Sequence, residues 1–329
     1  MNTENSIPCK RIIHLTYELY PQNLGGIGVI VYSLVNQIAK LRPQMQFEIL
    51  LPYNKDDFEN KFETQNVKIV CIKDCYNKDY KLNFQDFCKK IKQYLDENDG
   101  RNSIIHVHDI TLLHMISRYK NVVYTFHKDD GMKIMESRKI NSCIFFTKYS
   151  KRIHKIPADK YYIIPNAMCL SIPQNAHIAF IGRTSNEKGF DKYLEYVESS
   201  NLNNKYFFVG TNDFVHPNIE NKGVLDNKEV NNFLTTIDYL FVPSEKEEFG
   251  LIILEAINKG VHVFVNSLPQ LKELYTLSNQ ITFIDFSKRN FISRIDNYIN
   301  KNFYKQKEFL KQFEISSVAK KYLNVYDKI

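Results

Sequence analysis

Five charged side chains in the second half of the chain have the types and spacing to hold a ligand that is both anionic and rich in hydroxyls. Glu247 and Glu255 lie eight positions apart on either side of Gly250, and Glu248 adds a third carboxylate beside the first. The run Tyr239 to Val242 reads as a buried strand, and a helix is expected to open near Phe249. A helix start presents unpaired amides, and Gly250 lets backbone approach a ligand there. The amides of Phe249, Gly250 and Leu251 then suit an anion, while the carboxylates accept hydrogen bonds from hydroxyls. Acids at a helix start are also common without any ligand, because they oppose the helix dipole. Arg183 and Lys188 flank the turn after the strand His177-Ile-Ala-Phe-Ile. Two fixed cations beside a strand-to-helix turn match a diphosphate better than a single carboxylate, unless both are ordinary solvated charges.

The first half carries a different set. Ile104-Ile-His-Val-His-Asp and Asn121-Val-Val-Tyr-Thr-Phe-His read as strands that end in His108, Asp109 and His127. Ligands of open parallel sheets bind at the carboxyl ends of strands, which puts these residues where chemistry is expected. His106 and His108 project to one side of their strand, an arrangement that also suits a metal, but the sequence shows no third ligand nearby. The turn after the first strand holds Gly25, Gly26 and Gly28 without the spacing of a dinucleotide fingerprint. It predicts a loop whose backbone approaches something closely.

These residues are positioned by two successive series of strand and helix signals. The first runs from Ile12 to Pro165-Asn166 and the second restarts at His177, so two α/β domains are expected, residues 1–166 and 167–329. Each reads as a parallel sheet with its functional residues at the carboxyl edge, and the two edges are expected to face a cleft. Two helices with apolar spacing at Phe291, Ile295 and Ile299 and at Phe309, Phe313, Val318 and Tyr322 close the chain. The last helix is expected to pack back on the first domain.

Composition narrows the classes. The 329 residues are 43% hydrophobic and 25% charged, as in folded globular proteins. The six cysteines form neither a disulfide framework nor a zinc spacing. No signal peptide or membrane-spanning run is read, so a cytoplasmic location is expected. The net charge of +7 is concentrated between Lys128 and Lys160, where nine Lys or Arg face four acids. Such a stretch suits anionic lipid, phosphorylated substrates or nucleic acid, or is a solvated surface. It is short and has no recognised nucleic-acid motif, so nucleic acid is not expected as a partner.

Taken together, several elements in order resemble the retaining, nucleotide-sugar-dependent glycosyltransferases of family 4, which have the GT-B fold of two Rossmann-like domains. They are Gly25-Gly26-Ile27-Gly28, His106-Val-His-Asp109, Thr125-Phe-His127, Ile164-Pro-Asn166, Gly182-Arg183 with Lys188-Gly189, and Pro243-Ser244 with Glu247 and Glu255-Ala256. The resemblance implies transfer of a sugar from a nucleoside-diphosphate sugar, UDP-linked in the first instance, with retention at the anomeric carbon. It implies no cofactor and no required metal. The acceptor it implies is a saccharide or glycolipid in cell-surface polysaccharide, lipopolysaccharide or glycolipid assembly. Carried over by position, Arg183 and Lys188 bind the diphosphate and stabilise the leaving group. Glu255 holds ribose hydroxyls, Glu247 and Glu248 lie at the sugar, and the amides of Phe249, Gly250 and Leu251 meet sugar or phosphate. Gly26 and Gly28 let the first loop reach phosphate and acceptor. His108 lies beside the reacting sugar, with Asp109 and His127 on the acceptor side.

The chain also departs from the pattern. Glu248 replaces a frequent glycine, Gln270 stands where an acid is usual, Ala167 follows Asn166 where glycine is common, and His262 replaces a common proline. A nucleotide-sugar epimerase of the same fold and a catalytically degenerate partner subunit are the competing readings. The intact set Arg183, Lys188, Glu247 and Glu255 argues against the degenerate subunit, while turnover of donor without acceptor would distinguish the epimerase. The basic stretch, on the acceptor side of such a fold, is expected to touch an anionic membrane or a phosphate-bearing acceptor.

Overall fold

The structure is a computed structural model, and it describes residues 10–21, 26–53, 60–75, 82–113, 116, 118–127, 140–154 and 158–329. Gly25, Cys9 and part of the basic stretch (128–139 and 155–157) lie outside the described residues. The chain divides into two compact units, Met1–Ser171 with Leu310–Ile329, and Ile172–Phe309.

Unit 1 alternates strands and helices: β1 (Arg11–Leu15), α1 (Gly26–Leu41), β2 (Gln46–Leu51), β3 (Val67–Cys71), α2 (Phe84–Glu97) and β4 (Ile104–Val107). It continues with α3 (Ile110–Leu113), β5 (Val122–Phe126), β6 (Ile140–Phe145), α4 (Lys148–Ile153) and β7 (Ala158–Ile163). All seven strands are parallel, in the order β3-β2-β1-β4-β5-β6-β7. The order reverses between β1 and β4, where a doubly wound sheet opens its crevice. The central strands are buried on both faces and read as near-continuous apolar runs, Ile104–Val107 and Val122–Phe126 among them.

Unit 2 contains β8 (His177–Ile181), α5 (Phe190–Ser199), β9 (Lys205–Val209), β10 (Ile219–Asn221), α6 (Asn227–Leu234), β11 (Tyr239–Val242) and α7 (Leu251–Asn258). After these come β12 (His262–Asn266), α8 (Pro269–Tyr275), β13 (Ile281–Ile284), α9 (Phe291–Ile299) and α10 (Lys305–Lys311), the last of which carries the chain out of this unit. Its six parallel strands run β10-β9-β8-β11-β12-β13. One face of the sheet is lined by interlocking aromatics, including Phe180, Tyr193, Tyr196, Phe208, Phe241 and Phe264.

The chain then returns. The segment after Leu310 ends in α11 (Ile315–Tyr326), which lies against α1 in unit 1. Backbone bonds from Met168 N to Phe313 O (2.9 Å) and Ile315 N to Met168 O (3.0 Å) fix its entry. Its face of Ile315, Val318, Ala319, Tyr322, Leu323, Val325 and Tyr326 is buried in the same cluster as Ile12, Val35, Phe47 and Ile104. Among the described residues, no helix is long and apolar enough to cross a membrane.

Candidate functional site

In unit 2 the candidate residues gather where β8 and β11 end. After β8 the chain passes Gly182 and the exposed Arg183 into a single tight helical turn, Asn186–Lys188, closed by Gly189. After β11 it runs through Pro243 to Gly250 before α7 begins at Leu251, two residues later than Phe249, where the sequence placed it. The reason is local. Gly250 is left-handed, with φ of 72°, and caps the helix from outside, so Phe249 cannot belong to it.

These two segments are fastened to each other. Lys188 Nζ meets Glu247 Oε2 at 2.8 Å, and Glu245 N donates to Glu187 O at 2.9 Å. Gly189, at φ of 71°, packs so closely that an added Cβ would stand 2.4 Å from the Pro243 carbonyl oxygen. A Gly189→Ala variant is therefore expected to lose about 1–3 kcal/mol, read as a lowered melting temperature of unit 2.

The next strand-to-helix junction clamps the same loop. Asn266 Nδ2 donates to Ser244 O (3.0 Å), Gln270 Nε2 to Glu247 O (2.9 Å) and Tyr275 OH to Phe249 O (2.7 Å). These three residues set the loop that carries Glu247, and only Gln270 drew attention in the sequence, as a neutral replacement for an acid. The structure supplies its use: an ionised carboxylate only accepts, so it could not donate to the Glu247 carbonyl. Phe249 and Leu251 are exposed, Glu248 is exposed and Glu255 is half-buried. Arg183, Glu248 and Glu255 make no side-chain hydrogen bond or ion pair among the described residues. Unit 2 thus presents a bound Lys188–Glu247 pair, three unengaged charges and a held loop ahead of a helix start.

Unit 1 brings together a second group. His108 and Asp109 follow β4, His127 follows β5, Gly26 opens α1 and Gly28 is buried two residues further in. Asp109 Oδ1 accepts from the Thr111 amide at 2.8 Å, which turns the chain into α3. His108 is 2% exposed and has both ring nitrogens engaged, Nε2 with His14 Nδ1 at 2.9 Å and Nδ1 with His127 Nε2 at 3.0 Å. His106 is likewise occupied, by Tyr326 OH (2.6 Å) and Thr125 Oγ1 (2.8 Å).

His14 is the residue that sequence reasoning missed. It sits on β1 opposite His106 on β4, and with His106 and His108 its ligating nitrogens lie within 4.8 Å of one another. The adjacency of first and fourth strands in a doubly wound sheet was the available signal. The third imidazole near His106 and His108 therefore exists, contributed by the neighbouring strand.

Burial dominates the electrostatics of this cluster. It holds His14 down at about 3 and His127 at about 4, from an ordinary 6.5, and drives His106 and His108 well below it. The Asp109 carboxylate opposes the shift at His127. The unfolded chain then takes up protons that the folded one refuses, between pH 6.5 and about 4. Stability of unit 1 is expected to be complete above pH 6.5 and to fall on acidification through this window. The slope is up to about 1.4 kcal/mol per pH unit for each histidine, measurable as a fall in the urea midpoint.

Each unit is a doubly wound α/β sheet with its candidate residues at the carboxyl ends of strands, where such sheets bind their ligands. Residues 171–313, a stretch that takes in unit 2, match the family described as Glycosyl transferases group 1. A Klebsiella pneumoniae protein described as an uncharacterized 41.2 kDa protein in the cps region is 28% identical over 167 residues, 46% of this chain and 46% of that protein. The Escherichia coli O-antigen biosynthesis glycosyltransferase WclY is 27% identical over 153 residues, 43% of this chain and 37% of that protein. The match spans less than half the length of these curated relatives. Sucrose-phosphate synthase from Thermosynechococcus elongatus aligns over 97% of this chain and 98% of its own, at 13% identity and a TM-score of 0.45.

Proposed function

We propose that this chain is a retaining family 4 glycosyltransferase that moves a sugar from a nucleoside-diphosphate sugar, UDP-linked in the first instance, to a saccharide or glycolipid acceptor. The observation that carries the reading is the Lys188–Glu247 pair on a clamped loop within the domain that matches the glycosyl transferase family. In this reading the diphosphate displaces Glu247 from Lys188, and Arg183 joins Lys188 on the phosphate oxygens. Glu247 is freed to accept from sugar hydroxyls, with Glu248 beside it, and Glu255 takes the ribose. The amides of Phe249, Gly250 and Leu251 face the same ligand.

The bond from the anomeric carbon to the phosphate oxygen breaks as the acceptor oxygen bonds on the same face. The departing phosphate takes the acceptor proton, and the cations stabilise its charge. No metal enters this scheme, so transfer is expected to survive EDTA. Its place is the assembly of a cell-surface polysaccharide, in keeping with the O-antigen role that WclY carries in its name.

The reading extends to location: a cytoplasmic protein with peripheral contact to an anionic membrane. The described part of the basic stretch supports it, because α4 carries Lys148, Lys151 and Arg152 beside exposed Tyr149 and Ile153. Equal sedimentation with neutral and anionic liposomes would remove the membrane contact. The decisive experiment for the activity is a thermal-shift screen and donor-hydrolysis assay against UDP-, GDP- and ADP-sugars. A donor at ten to a hundred times its dissociation constant is expected to stabilise by roughly 1.4 to 2.7 kcal/mol. No shift and no turnover with any of them would sink the proposal, and turnover of donor to an isomer without acceptor would make the protein an epimerase.

A further inference from the structure

The contact between Lys188 and Glu247 cannot be undone by moving the main chain. Lys188 stands in the tight turn Asn186–Lys188, where the Glu187 carbonyl accepts from Glu245 N at 2.9 Å. Gly189 lies against the Pro243 carbonyl, and Gln270 holds the carbonyl of Glu247 itself at 2.9 Å. Both backbones are pinned, so only the two side chains are free to swing. They keep 28% and 19% of their surface exposed, which leaves the 2.8 Å contact within reach of a ligand from solvent.

In this state the Glu247 carboxylate gives Lys188 what a phosphate oxygen would give it, a negative oxygen at charge-assisted hydrogen-bond distance. It is therefore a rival to any anion that approaches the ammonium. The rivalry is unequal between ligands. A bare diphosphate must separate the pair, and it leaves the released carboxylate without a cation beside new negative charge. A diphosphate that carries a sugar separates the pair too, but its hydroxyls donate to the released carboxylate. Apparent affinity falls with the fraction of sites that are open to the ligand. For an ion pair of this exposure the penalty on a bare diphosphate is about two- to fivefold.

We propose that the Lys188–Glu247 pair is an internal competitor that sets ligand choice: it disfavours a free nucleoside diphosphate and spares one that carries a sugar. The competition itself rests on the pair and its pinned backbones, while the sparing of a sugar conjugate rests on the sugar-transfer reading. Diphosphate and hydroxyls then reinforce each other, because either one, once bound, has already opened the pair for the other. After transfer the balance reverses. The nucleoside diphosphate left behind has lost the hydroxyls that occupied Glu247, and the return of Glu247 to Lys188 favours its release.

The test is titration calorimetry of the full chain with inorganic pyrophosphate, UDP, GDP and ADP at one ionic strength. Glu247→Gln keeps the shape of the side chain and removes its charge. It is expected to bind pyrophosphate, and the nucleoside diphosphate that fits, about two- to fivefold more tightly than the unaltered protein. Glu248→Gln removes an equal charge from the exposed neighbouring residue and sets the baseline for charge alone. A gain in Glu247→Gln no larger than that baseline overturns the proposal, as does weaker binding, with melting curves showing that both variants are folded. Lys188→Ala is expected to bind pyrophosphate more weakly, and unchanged binding there also overturns it. With a donor identified, Glu247→Gln should weaken the donor while tightening its nucleoside diphosphate, and equal tightening of both overturns the ligand choice. If none of the four anions binds the unaltered protein or Glu247→Gln, the sugar-transfer reading falls together with the proposal. Tighter pyrophosphate binding by Glu247→Gln in a protein that turns over no donor would refute the sugar-transfer reading and leave the competitor standing.

Discussion

Lys188→Ala is expected to abolish most donor turnover while leaving the protein folded. The loss should reach about 10²–10³-fold, the size seen when one preorganised group is removed from a developing charge. Stability should hardly move, because Lys188 and Glu247 keep 28% and 19% of their side chains exposed. Exposed or half-exposed ion pairs contribute about 0–1 kcal/mol. The two effects therefore separate cleanly: a melting curve near that of the unaltered protein, and hydrolysis of the donor close to background. Glu247→Gln supplies the comparison, since it removes the same ion pair from the other side. Were the pair only structural, both variants would shift stability slightly and leave turnover alone. Near-normal transfer by Lys188→Ala would take Lys188 out of the catalytic set.

Removal of residues 310–329 is expected to unfold unit 1 and spare unit 2. The segment takes with it six buried side chains larger than alanine: Ile315, Val318, Tyr322, Leu323, Val325 and Tyr326. At about 1.5–3 kcal/mol each, their burial amounts to something on the order of 10 kcal/mol. A whole domain is stable by only about 5–15 kcal/mol. Deletion would also strip His106 of Tyr326 and expose the apolar face of α1. Hydrogen exchange should show β1, β4 and β5 losing protection while β8, β11 and β12 keep theirs. A single substitution tests the polar part: Tyr326→Phe leaves the buried His106 Nδ1 unpaired, at a cost of about 1–3 kcal/mol.

Much of this architecture is legible in the sequence, and the omissions have physical causes. The central strands announce themselves as apolar runs because parallel strands are covered on both faces. Strand β10 has only three residues, Ile219–Asn221, too short for any period to show. The start of α7 was misplaced because a glycine can cap a helix from a left-handed conformation, which no periodicity reveals. Of the candidate site, Arg183, Lys188, Glu247 and Glu255 were evident from residue type and spacing. Asn266 and Tyr275 were not, because they act through backbone carbonyls of a loop more than twenty positions earlier. His14 reads as one more residue of an apolar strand until β1 and β4 are placed side by side. Single-strand patterns carry the elements; the contacts that aim the site run between elements.

The return of the chain to its first unit also sets a timetable for synthesis. Domains commonly fold in the order in which they leave the ribosome, at about 5–20 residues per second. Here Ile172–Phe309 is complete before α11 has been made, while the sheet begun at Arg11 still lacks part of its cover. At that speed the opening strands wait roughly 15–60 s for the segment that shields them. The second half of the chain is thus expected to mature first, and the first half to need a chaperone's protection for the interval.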